Sequence, residues 1–135
     1  MKIGLLKEIK NGEYRTILTP NEVAELILNG HELFIQSGAG AGASFEDVEY
    51  EKVGAKIVET MEEIYQIADF VTKVKEIEES EYKLLRENQI IFTCIHPAAS
   101  REEVDALLKA KVIAFTAEDT HKYGSPNCEI AGKLG

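Results

Sequence analysis

The stretch Ile90-Ile91-Phe92-Thr93-Cys94-Ile95-His96-Pro97-Ala98-Ala99-Ser100-Arg101-Glu102-Glu103 decides the fold class. Six strand-forming residues run straight into a histidine and a proline, and Ser100 with Glu103 then has the spacing of a helix-opening capping box. Val104, Leu107 and Leu108 follow at core-facing helical spacing, and a second apolar run, 112–117, closes the unit. Strand, helix and strand of these lengths make a crossover unit, the building block of a parallel sheet.

Outward from this unit the pattern repeats. Strand-like runs occur at 2–6, 32–36, 56–58 and 70–74, bounded by turn-forming or polar residues. Thr19 with Glu22, Ser44 with Asp47 and Thr60 with Glu63 read as further helix starts, and Pro20 suits a first helical turn. Val23, Leu26 and Ile27 form the apolar stripe of the first helix, which ends at Asn29-Gly30, where a left-handed residue is needed. The alternation predicts an α/β domain, Rossmann-like or flavodoxin-like, of three layers with a parallel sheet and helices on both faces. The acidic segment 76–81 reads as solvated helix surface. After Ala117 the pattern changes: Glu118-Asp119, His121 and Tyr123-Gly124-Ser125-Pro126 read as a loop, and a new helix is predicted over 127–134.

A chain of 135 residues is about one domain long. Its net charge of -9 argues against nucleic acid or an anionic membrane as partner, because the summed field repels polyanions. No run of about 18 apolar residues could span a bilayer. Cys94 and Cys128 fall in no CxxC or Cys/His ligand spacing and read as plain thiols of a reducing compartment. His31, His96 and His121 are likewise in no metal-ligand spacing, so no metal is expected. These features predict a soluble, cytoplasmic protein.

Three polar side chains lie just past apolar runs: Arg15 between the first strand and the Thr19 helix, Lys75 at the end of Lys73-Val74-Lys75, and His96 after the 90–95 run. Open parallel sheets bind ligands outside the carboxyl ends of their strands, so charge there points to a site. Two cations and an imidazole suit a small carboxylate held while a proton moves nearby. Each residue alone has a plainer reading: a surface ion pair, a solvated strand end, a packed or capping imidazole. Gly38-Ala39-Gly40-Ala41-Gly42-Ala43, with Glu59 after the next strand, imitates a dinucleotide fingerprint. The following helix opens with Glu46, Asp47 and Glu49, whose charges oppose a phosphate, so the segment is read as a glycine-rich turn.

Read as strings, Glu8-Ile9-Lys10-Asn11-Gly12-Glu13-Tyr14-Arg15, Thr19-Pro20, Val23-Ala24-Glu25-Leu26, Asn29-Gly30-His31-Glu32, Ile35-Gln36-Ser37-Gly38-Ala39-Gly40, Ala68-Asp69, Lys73-Val74-Lys75-Glu76, His96, Ala98-Ala99-Ser100 and Glu129-Ile130-Ala131-Gly132 form an ordered set. The set resembles the N-terminal domain of alanine dehydrogenases, shared with nicotinamide nucleotide transhydrogenases. The resemblance implies that Arg15 and Lys75 bind the carboxylate and carbonyl of pyruvate, that Lys75 and His96 are catalytic, and that His96 is the acid/base. The implied reaction takes L-alanine, NAD and water to pyruvate, ammonium and NADH.

The resemblance also implies that NAD is bound by a separate Rossmann domain following the 127–134 helix, which these 135 residues do not include. Residues 1–135 are therefore expected to be a substrate-binding domain with no cofactor of its own, inactive alone, taking a small 2-oxo acid or amino acid such as pyruvate or alanine, and able to form a homo-oligomer. Ile77 stands where alanine dehydrogenases usually have proline, Pro97 where leucine is usual, and Asn127-Cys128 where Met-Ser is common. These departures keep open an opine-type reductase resembling carboxyethylornithine synthase or saccharopine dehydrogenase. A stand-alone carboxylate-binding module and an inert remnant also remain open.

Overall fold

The apolar runs become the strands β1 (Lys2–Leu5), β2 (Glu32–Gln36), β3 (Lys56–Val58), β4 (Phe70–Thr72), β5 (Ile90–Thr93) and β6 (Ile113–Thr116) in a computed structural model that describes residues 1–119. Between them lie α1 (Pro20–Leu28), α2 (Asp47–Lys52), α3 (Met61–Ile67), α4 (Glu79–Tyr82) and α5 (Arg101–Ala110). All pairings are parallel, and the sheet order is β3-β2-β1-β4-β5-β6. This is the doubly wound Rossmann order, not the flavodoxin one. The chain winds outward from β1 to β2 and β3, then returns to lay β4 against β1's other side. Ile3 thus pairs with Leu33 on one flank and Phe70 on the other. The direction reverses between β1 and β4, so the ligand crevice of this topology opens past Leu5 and Thr72.

Two apolar clusters sandwich the sheet. Ile3, Leu5, Leu33 and Ile35 pack with Val23 of α1 and Tyr50 of α2, while Leu6, Phe34, Val71 and Ile91 pack with Ile64 and Tyr65 of α3 and Leu107 of α5. Gly4 lets α3 approach β1: a Cβ there would lie 2.6 Å from the Ile64 Cγ2 and 2.9 Å from the Ala68 Cβ. Opposite β4–β6, on the α1 side, the sheet is left as a groove of about 430 Å³ lined by Phe70, Phe92 and Phe115 among others.

The caps at Thr19 and Thr60 form as expected: the Thr19 amide donates to the Glu22 carboxylate at 2.9 Å, and the Thr60 amide to that of Glu63 at 3.1 Å. The box expected at Ser44 does not. Ser44 has a left-handed backbone (φ 67) closing a 3-10 turn over Ala41–Ala43, and α2 opens two residues later, where the Glu46 amide donates to Glu49 at 2.8 Å. In α5, Leu107 is buried but Leu108 is 70 % exposed, so the stripe is narrower than expected. The predicted 127–134 helix lies outside the described residues.

The segment 76–81 departs from its reading as solvated surface. Glu79 and Ser80 face water, whereas Glu81 is buried, accepting from the Lys73 ammonium at 2.9 Å and the Tyr65 hydroxyl at 2.9 Å. Lys73 is equally buried. Each charge is tolerated inside because it has the other, and removing one partner leaves a desolvated charge. Glu81→Leu should therefore destabilise the chain by about 3–5 kcal/mol. The double change Lys73→Met with Glu81→Leu should recover most of that in urea denaturation, and equal losses in the two variants would show that the pairing is not the cause.

Candidate functional site

The carboxyl ends of β1, β4 and β5 each lead into one of the three candidate residues. Arg15 sits in the β1–α1 connection, where its Nε donates to the Glu13 Oε1 at 2.9 Å and its Nη2 to Oε2 at 2.8 Å. Hydrogen bonding to Arg15 draws the Glu13 carboxyl down to about 2. The connection is seated on the glycine-rich turn: a Cβ at Gly42 would lie 2.6 Å from the Tyr14 carbonyl oxygen. Gly38 supplies the left-handed turn residue (φ 79), and its amide donates to Asp47 Oδ1 at 2.8 Å, with the Ser37 hydroxyl on Oδ2 at 2.6 Å. A carboxylate thus occupies the position where a fingerprint would cradle phosphate, and the glycines serve close approach and turning. Glu8, Glu13, Arg15, Gly38 and Gly42 share a pocket of about 230 Å³.

Lys75 follows β4 on a segment held by its main chain. Glu8 accepts from the Val74 amide and, at 3.3 Å, from the Lys75 amide, while the Thr93 hydroxyl donates to the Lys75 carbonyl. The Cys94 amide donates to the Val74 carbonyl at 3.1 Å, tying the β4 exit to the β5 exit. Burial pushes the Glu8 carboxyl up against the lowering pull of Lys73 and of these amides. The Lys75 charge acts on the Glu13 carboxylate and on the Cys94 thiol, pulling both downward.

His96 has a left-handed backbone (φ 49), a conformation costly for a residue with a side chain and commonly retained where function demands it. Its amide donates to the Glu118 Oε1 at 2.6 Å, and the same oxygen lies 3.4 Å from its Nδ1. Its Nε2 lies 3.9 Å from Glu76, which also holds Lys10 at 2.9 Å. A carboxylate on one ring nitrogen fixes the orientation of the other. Burial raises the Glu118 carboxyl, but the Thr116 hydroxyl and the His96 amide more than offset it, leaving Glu118 below its ordinary range.

Arg15 and Lys75 are the more directly linked pair: both charges act on Glu13 and on the Cys94 thiol. His96 joins through Glu118, whose carboxylate accepts from that thiol. Arg15 and His96 line separate cavities, the second of about 330 Å³ with Pro97 and Glu118. Sequence reasoning did not single out Glu8, Glu13, Glu76 or Glu118 as site groups, and it gave Cys94 no place beside Arg15 and Lys75. The usable signal was the pair of carboxylates, Glu8 and Glu13, in the connection that carries Arg15. Among the described residues no three His, Cys, Asp or Glu side chains are grouped to hold a metal, and no helix is long and apolar enough to cross a membrane.

The family model for the alanine dehydrogenase/PNT N-terminal domain matches residues 4–125. The chain belongs to this family. Alanine dehydrogenase of Mycolicibacterium smegmatis is 43 % identical over 99 % of this chain, that of Staphylococcus epidermidis 42 %, and that of Methanococcus maripaludis 39 % over the same share. The chain spans 38 % of the length of each of these relatives. A solved L-alanine dehydrogenase superposes with a TM-score of 0.85 at 40 % identity over 87 % of this chain and 32 % of its own length. A transhydrogenase from Sinorhizobium meliloti superposes at 0.84 with 24 % identity, covering 90 % of this chain and 36 % of its own, which shows the shared fold. In this alanine dehydrogenase-type domain the departures fall at instructive places: Pro97 lines the His96 cavity, and Ile77 is buried just beyond Lys75.

The plain-thiol reading of Cys94 agrees with its surroundings. Burial pushes the thiol up to about 11, Glu118 adds to this, and Lys75 and Arg15 only partly oppose it. The nucleophile is the thiolate, whose fraction at pH 8 is on the order of a hundredfold below that of a free cysteine. Alkylation by iodoacetamide, read at Cys94 by peptide mass spectrometry, should be slower by about that factor at pH 8 and rise roughly tenfold per pH unit to pH 10. A plateau below pH 9 would refute it.

Proposed function

We propose that the chain is the substrate-side domain of an NAD-dependent amino-acid dehydrogenase of the alanine dehydrogenase type. The supporting observation is that a member of this family carries two cations, Arg15 and Lys75, acting on the same groups where β1 and β4 end, at the sheet's switch point. The guanidinium of Arg15, already oriented by Glu13, holds the carboxylate of a small 2-oxo or amino acid. The Lys75 ammonium faces the carbonyl or imine and stabilises negative charge developing on it. His96, oriented by Glu118, gives and takes the proton as water adds to the imine and the carbinolamine collapses.

NAD supplies the electron acceptor in this reaction class. The glycine-rich turn does not fit it, because Asp47 already takes the Ser37 hydroxyl and the Gly38 amide. In this reading the cofactor is held by residues beyond the 135, and the partly uncovered Phe92 and Phe115 belong to a face that the longer protein covers. Alanine- and NAD-dependent turnover is accordingly expected to be undetectable from the chain alone. Pro97, a departure that lines the His96 cavity, leaves room for a second reading, an opine-type reductase, in which a longer protein consumes NADH with a 2-oxo acid only when a second amino acid is supplied.

The test is a pyruvate titration of the purified chain followed by NMR. Pyruvate should shift resonances around residues 13–15 and 74–76. Arg15→Ala and Lys75→Ala should each weaken binding by about tenfold or more, the contribution of a charge-assisted hydrogen bond. Unchanged affinity in both variants would overturn the assignment.

A further inference from the structure

Glu103 stands at the third position of α5, where a capping-box carboxylate normally returns to the amide of the N-cap residue. Here only half of the box forms: the Ser100 hydroxyl accepts from the Glu103 amide at 3.3 Å. The carboxylate instead turns inward, is 1 % exposed, and accepts from the Ile77 amide at 2.8 Å through Oε1. Its Oε2 has no partner among the described residues. A carboxyl group has therefore been desolvated to reach one main-chain amide, two residues beyond Lys75, from the helix that opens just after His96.

That amide needs an acceptor because it is buried and outside any strand or helix. Three other amides of the segment already have carboxylate acceptors: Val74 and Lys75 on Glu8, and Glu78 on Glu81 at 2.7 Å. Proline at position 77 would present no amide at all. The hydrogen bond from the Ile77 amide to Glu103 thus restrains by a side chain what proline's pyrrolidine ring would restrain covalently.

We propose that Glu103 is a positioning residue for Lys75, clamping the Ile77 amide so that the segment from Lys73 to Glu78 presents the Lys75 ammonium to the bound acid; this rests on the proposed role of Lys75. Burial pushes the Glu103 carboxyl up to about 7, with Glu76 and Glu118 raising it, and the Ile77 amide and Lys73 lowering it. Tyr65, Tyr82 and Lys10 also lie within its field. Either protonation state can accept the Ile77 amide through Oε1, so glutamine preserves the clamp and methionine, of similar size, abolishes it.

Three readouts on the full chain test this: hydrogen exchange at the Ile77 amide, the acylation rate of Lys75 relative to the other lysines by mass spectrometry, and the pyruvate dissociation constant. Glu103→Met should raise Ile77 exchange at least about tenfold, change the Lys75 rate at least threefold, and weaken pyruvate at least fivefold. Glu103→Gln should stay within twofold on all three. In an Ile77→Pro background, where the amide no longer exists, Glu103→Met should add less than twofold to either Lys75 readout. The clamp is overturned if Glu103→Met leaves the Lys75 rate unchanged, if Glu103→Gln is as impaired as Glu103→Met, or if the proline and methionine effects simply add. Absence of pyruvate binding in the unsubstituted chain would count against the functional reading instead, and the acylation rate would then decide the clamp.

Discussion

The chain that leaves β4 has no sheet neighbour for its amides, and carboxylates reaching in from three other elements supply the acceptors. Glu8 comes from the exit of β1, Glu81 from α4 and Glu103 from α5. Unmet buried amides would cost more than the hydrogen bonds return, so the loop's shape follows from where those side chains are rooted. Several acidic groups of this chain of net charge -9 are thereby engaged with main-chain amides and with Lys73 rather than left on the surface.

The same economy shapes the rest of the site. Arg15 is held by Glu13 in a two-point contact, which orients the guanidinium without a bound ligand but sets a competitor beside any carboxylate that arrives. His96 is bent into a left-handed backbone and tethered to Glu118 by both its amide and its ring. The sheet order places the loops that follow β1 and β4 side by side.

The sheet was legible in the sequence because strand runs and helix starts are local signals. Thr19 and Thr60 each carry their partner three residues on, and Ser100 does so at the level of the helix start. Where reading failed, a distant partner had taken over. Nothing near Glu81 reveals that Lys73 and Tyr65 meet it inside, and nothing near Glu103 reveals that its target is the amide of Ile77. Ser44 gave way to Glu46 because the glycine-rich turn continues into a 3-10 turn that Ser44 closes. Arg15, Lys75 and His96 stand out in sequence as candidates because topology suggests where ligand groups collect, whereas the carboxylates beside them, Glu13, Glu8 and Glu118, look in sequence like ordinary surface acids.

The two margins of the sheet are not alike. β3 is three residues long, with Lys56 exposed at its outer limit, a short charged rim that discourages additional pairing. β6 is longer, hydrogen-bonds to β5 on one side, and exposes Ile113 at 45 % and Phe115 at 52 %. Among the described residues a rim of that character has the make-up of a template for strand addition, the feature that β3 avoids by being short and charged.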